Sequence, residues 1–114
     1  MKSILFSLVI ILTVAARKCN HEHQKDIPSC IQEKIDLLSK APVRNPPAEV
    51  RAYNYHGQTV YYFNAPCCDQ YDSVYDDHCR FICAPGGGFT GKGDGKCPDF
   101  DQAKELSVVW KDGR

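Results

Sequence analysis

Seven cysteines offer the most chemistry in this 114-residue chain: Cys19, Cys30, Cys67, Cys68, Cys79, Cys83 and Cys97. As a thiolate, cysteine is a nucleophile or a metal ligand; oxidised, it is half of a covalent staple. Structural zinc favours a C-x-x-C spacing, which lets a tight turn present two sulfurs to one tetrahedral ion. Cys67-Cys68 and His78-Cys79 are adjacent pairs and lack that spacing. A nucleophilic cysteine needs a base within reach. His78 precedes Cys79, but neighbours in an extended chain point to opposite faces. No serine stands in a G-x-S-x-G turn, and no pair of acids is spaced for acid–base work. The residue types argue for disulfides and against an enzyme.

The glycine-rich stretch comes next. Gly86-Gly87-Gly88-Phe89-Thr90-Gly91-Lys92 matches the start of a phosphate-binding G-x-x-x-x-G-K loop, but Gly93 replaces the hydroxyl residue that would hold magnesium. The later glycines and Pro98 leave no room for the helix whose N-terminus would face a phosphate, so no nucleotide is expected. What remains is a loop of positive-φ glycines whose backbone N–H groups could face an anion. Gly86, Gly87, Gly88, Gly91, Lys92, Gly93, Asp94 and Gly95 form the candidate binding loop.

Two acidic clusters, Asp69/Asp72/Asp76/Asp77 and Asp94/Asp99/Asp101, raise the question of calcium. They fit no EF-hand pattern, and aspartate is a common turn former. No cofactor is expected; calcium is the metal to test. His21-x-His23 lies in a polar stretch better read as a leader. The Cys68–Cys79–Cys83 spacing, with Tyr75 four residues before Cys79, resembles part of a Kazal-type protease inhibitor. That family has a further cysteine where Val60 stands, and a helix where Pro85 and Gly86 would stop one.

These residues need elements to hold them. Met1-Lys2, an apolar run to Val14 and small residues at Ala15-Ala16 make residues 1–16 a secretory signal peptide. The run is too short to span a hydrocarbon core of roughly 30 Å. Lys18 before Cys19 argues against lipid anchoring there, since a lipidated cysteine follows a small residue. Without Lys2, Lys+Arg number 13 against 14 Asp+Glu, a net charge of −1. That balance argues against nucleic acid and anionic membrane as partners. An oxidising compartment favours disulfides.

Residues 17–25 read as a flexible leader and 26–114 as a single disulfide-rich domain. Ile27, Ile31, Ile35 and Leu38 recur at helical spacing over Asp26–Lys40, with Cys30 on the same face, Asp26 or Ser29 as cap and Pro42 as stop. Val50–Asn64 reads as a β-hairpin turning at His56-Gly57. Ala65–Asp77 reads as irregular, Arg80–Ala84 as a short strand, Pro85–Pro98 as loop and Leu106–Trp110 as a last strand. The fold class is α+β: one N-terminal helix packed on a small antiparallel sheet and stapled by disulfides.

The run Ala65-Pro66-Cys67-Cys68-Asp69-Gln70, then Val74-Tyr75-Asp76, Ile82-Cys83-Ala84-Pro85 and the stretch from Gly87 to Phe100 together resemble an uncharacterised family of small secreted or lipid-anchored bacterial proteins, a domain of unknown function. The resemblance runs from about Ile27 to Trp110. It implies an envelope or extracellular location and no established activity.

Seven is odd, and Cys19, in the leader, is the expected free thiol. Cys30, Cys67, Cys68, Cys79, Cys83 and Cys97 are expected to form three disulfides. Cys67 and Cys68 should reach different partners and clamp two elements, because adjacent side chains of an extended chain diverge. Cys79 and Cys83 should not pair, and Cys97 should close the glycine loop onto the body. The functional expectation is a small secreted module that binds an unknown envelope or extracellular partner or serves a structural role, with protease inhibition as the alternative.

Overall fold

The computed structural model describes residues 27–114; the expected signal peptide, leader, Asp26 and Cys19 lie outside them. One helix and five strands follow in the order α1 (Ser29–Lys40), β1 (Glu49–Tyr55), β2 (Gln58–Phe63), β3 (Ser73–Tyr75), β4 (Phe81–Cys83) and β5 (Lys104–Lys111). The strands form one antiparallel sheet in the order β4-β3-β2-β1-β5. The α+β expectation therefore holds.

Helix α1 buries Ile31 and Ile35, one turn apart, and leaves Leu37 exposed. Ser29, one of the expected caps, is instead the first residue of the helix, and no side chain caps it. Pro28 is the N-cap, in extended conformation, and its carbonyl accepts the N–H groups of Ile31 and Gln32. Proline lacks a donor and so loses nothing in that place. The helix ends where Ala41 turns extended ahead of Pro42.

The hairpin forms as its residue types require. His56 and Gly57 both take positive φ, 50° and 80°, as a two-residue turn matching strand twist demands. Alternation then sorts the side chains. Val50, Ala52, Tyr61 and Phe63 face α1; Tyr53, Tyr55, Val60 and Tyr62 face away from it. The second face is covered by the glycine loop and a short 3-10 helix, Phe100–Gln102, with Val60, Val74, Cys83 and Cys97 buried between. The sheet is thus the middle of three layers.

Strand β3 lies inside the stretch read as irregular. Three residues are too few to show a period, and the strand exists because Val74 is fully buried between β2 and β4.

Two disulfides tie the outer layers to the sheet. Cys30–Cys79 joins α1 to the turn before β4, and Cys83–Cys97 closes the glycine loop, as expected for Cys97. The third corrects the expectation of a clamp. Cys67 and Cys68 bond to each other, their Cα atoms 3.7 Å apart. Divergence of neighbours holds only for extended chain. Here Cys68 has φ 58°, and Gln70 donates its N–H to the Cys67 carbonyl at 3.1 Å, so a turn brings both sulfurs together.

Near the end of the chain, Arg114 donates to the carbonyls of Leu38 and Ala41 at 3.2 and 2.8 Å, satisfying acceptors at the end of α1. Its guanidinium also grips the buried Asp112 carboxylate at 2.8 Å and holds it below the usual carboxylate range.

Candidate functional site

Between the glycine loop and the sheet lies a cleft of about 580 Å³, a size that suits a small organic ligand. Tyr53 of β1, Tyr62 of β2 and Phe100 of the 3-10 helix supply aromatic wall; Asp72, Lys92 and Asp101 supply charge at the rim. The strands present the tyrosines because positions 53 and 62 fall on the face away from α1. Phe100 packs at 5.2 Å from Tyr53 and 6.1 Å from Tyr62, centroid to centroid, which fixes the rings against one another.

Asp72 ties the wall to the loop. Its carboxylate accepts the Ala65 N–H at 2.8 Å, and its own N–H donates to the Gly86 carbonyl at 3.1 Å. Burial and the hydrogen bond to Asp72 push the Tyr62 phenol well above its ordinary range, so it stays protonated.

The loop itself is rigidly hydrogen-bonded. Gly87 bridges to Tyr71 on one side and Lys92 on the other. The N–H groups of Gly88, Gly91, Gly93 and Asp94 go to the carbonyls of Gln70, Gly88, Gly87 and Ala84, and Lys96 N–H goes to the Asp94 carboxylate. These amides are taken up by carbonyls of the loop, of Gln70 and of Ala84 and by the Asp94 carboxylate, and are not gathered toward an anion. Glycine is required at position 93, where φ is +72° and a Cβ would land on the Ala84 carbonyl oxygen. Of the candidate binding-loop residues, Gly86, Lys92 and Gly95 line the cleft; the others shape the loop behind it.

The sequence reading missed the aromatic wall and singled Asp72 out only as a calcium candidate. Alternation along the hairpin signals that Tyr53 and Tyr62 share a face, but what covers that face is not written in local pattern. The phosphate-loop match also finds no support in context, for the element after Lys92 is the three-residue 3-10 helix. Where a Kazal-type domain continues from its cysteine into a helix, this chain runs from Cys79 into β4.

Of the acids suspected of calcium binding, Asp76 and Asp99 are held by neighbouring donors. Asp76 accepts the N–H groups of His78 and Arg80, each at 2.9 Å, and the Arg80 guanidinium. Burial works to raise its pKa, but those donors outweigh it and the carboxyl sits below its usual range. Asp99 accepts from Tyr55 at 2.6 Å and meets His56 at 2.6 Å. Asp76, Asp77 and His78 can bring one ligand atom each within 4.8 Å, on an exposed turn.

Two further groupings mark the surface. A shallower apolar groove of about 400 Å³ runs beside α1 and β2, past Leu37, Phe63 and Pro66. Next to it, both cysteines of the Cys67–Cys68 bridge are exposed, whereas Cys83 and Cys97 are buried.

The model of a family described as a domain of unknown function, DUF6970, matches residues 36–112, and the chain belongs to that family. No curated protein and no solved structure matches it.

Proposed function

We propose that this member of the DUF6970 family is a secreted, non-catalytic binding module whose cleft takes a small hydroxyl-rich ligand, a saccharide being the best chemical fit. The observation that carries the reading is the glycine loop pinned by Cys83–Cys97 over the aromatic face of the sheet. Aromatic rings give a sugar ring an apolar wall, and the Asp72 and Asp101 carboxylates accept from hydroxyls. A pre-formed site also lowers the ordering cost of binding. Asp72, already held by Ala65 and Tyr62, suits positioning better than proton transfer.

Disulfides support an oxidising location, and among the described residues no helix is long and apolar enough to cross a membrane. The apolar run from Ser3 to Val14 behind Lys2 supports secretion to the envelope or beyond. The test is NMR titration of the protein with a panel of mono- and oligosaccharides. Shifts confined to Tyr53, Tyr62, Asp72 and Phe100, and lost in Tyr62→Ala, support the assignment. Absence of shifts across the panel at millimolar saccharide overturns it.

A further inference from the structure

We propose that the Cys67–Cys68 bridge is a thiol–disulfide exchange site on the protein surface, open to a small external thiol while the other two disulfides stay closed to it. The first ground is what the bridge does not do. It joins adjacent residues, so it closes no loop, and the chain entropy it removes from the unfolded state is minimal. Cys30–Cys79 and Cys83–Cys97 span 49 and 14 positions and hold separate layers together. A bridge that staples nothing leaves the fold intact when it opens.

The second ground is access. Exchange requires a thiolate to reach a disulfide sulfur, and its rate falls with burial. Cys67 and Cys68 are both exposed, on a turn flanked by exposed Asp69 and Gln70. Cys83 and Cys97 are 0% and 4% exposed, and the Cys30–Cys79 pair packs partly buried against the α1 core. The backbone adds a third ground. Cys68 is held at φ 58°, a region costly for a residue with a β-carbon, and opening the ring frees it to leave.

The step balances with a thiol as reductant. A thiolate bonds to one sulfur of the pair; the bond between the two cysteines breaks, and the departing sulfur leaves as a thiolate that takes a proton from water. A second thiolate bonds to the first external sulfur and releases the remaining cysteine. The pair gains two electrons and two protons, and two thiols become one external disulfide.

The experiment uses the full secreted protein, oxidised, equilibrated with increasing glutathione, quenched with iodoacetamide and mapped by mass spectrometry, with near-ultraviolet circular dichroism in parallel. Labelling or glutathione adducts at Cys67 and Cys68 are expected at about tenfold lower glutathione than at Cys30, Cys79, Cys83 and Cys97, with the dichroism unchanged. The Cys67→Ser/Cys68→Ser double variant should keep the native spectrum and thermal midpoint and show no early adduct other than at the free Cys19. Simultaneous labelling of all six, later labelling of the vicinal pair, a double variant that unfolds, or mapping that pairs Cys67 or Cys68 elsewhere would overturn the proposal. None of these outcomes depends on saccharide binding, so the two readings fail separately.

Discussion

Tyr55 and Asp99 stand 44 positions apart in sequence and share a hydrogen bond of 2.6 Å, with His56 on the other carboxylate oxygen at the same distance. The contact ties the tip of the β1–β2 hairpin to the residue that opens the 3-10 helix carrying Phe100, and so braces one wall of the cleft.

That contact sets a pH dependence at both ends of the scale. The hydrogen bond to Asp99, with burial and the carboxylate's charge, pushes the Tyr55 phenol up to about 12. Its contribution to stability is complete below the ordinary phenol range and is lost as pH rises toward 12. Asp99 is held below the usual carboxylate range by Tyr55 and then His56. Its contribution is complete above the unfolded value, about 3.9, and disappears as pH falls through its lower folded value. In an ultraviolet titration, Asp99→Ala should lower one tyrosine toward the ordinary range, with the part due to burial remaining. An unchanged titration curve would contradict the assignment.

Opening the loop staple should separate stability from site formation. Cys83→Ala/Cys97→Ala is expected to lose about 2–4 kcal/mol in urea unfolding while keeping the far-ultraviolet spectrum. Saccharide binding should weaken together with it, because Lys92 and Gly86 then lose their fixed place over Tyr62.

Glycines of similar φ should respond differently to alanine. At Gly93 the added Cβ meets the Ala84 carbonyl, and at Gly87 it meets that of Gln70. At Gly91 and Gly95 it meets nothing within 4 Å, although φ is +72° and +77°. Gly93→Ala and Gly87→Ala should therefore lower the thermal midpoint clearly more than Gly91→Ala or Gly95→Ala, as scanning calorimetry would read. Equal losses at all four would mean that conformation, not contact, governs the loop.

In the layer on the other side of the sheet, Ile31→Ala should cost about 2–5 kcal/mol, since the side chain is fully buried against Val50 and Ile35. Leu37→Ala, at 70% exposure, should change stability by less than about 0.5 kcal/mol. Chemical denaturation of both variants checks the orientation of α1.

Local pattern made α1, the hairpin and its His56-Gly57 turn legible, because each carries its own period or turn chemistry. It made closure of the glycine loop by Cys97 legible through the run of glycines before it, but not its partner Cys83. Strand β3 was hidden, since its extended shape comes from neighbours on both sides of Val74. The Cys67–Cys68 bond was hidden because it depends on one backbone angle at Cys68. The cleft was hidden most completely. Its wall gathers residues from β1, β2, the turn before β3 and the 3-10 helix, and only the sheet register brings Tyr53 and Tyr62 to one face.

The glycine loop leaves the last residue of β4, Cys83, and is closed at Cys97; their Cα atoms are 5.9 Å apart and covalently joined. A segment fixed that way behaves as a cassette. Its length can change at little entropic expense, because closure cost grows only slowly with residues enclosed. Diversification of sequence between Cys83 and Cys97 could then redirect recognition while α1 and the hairpin stay as they are.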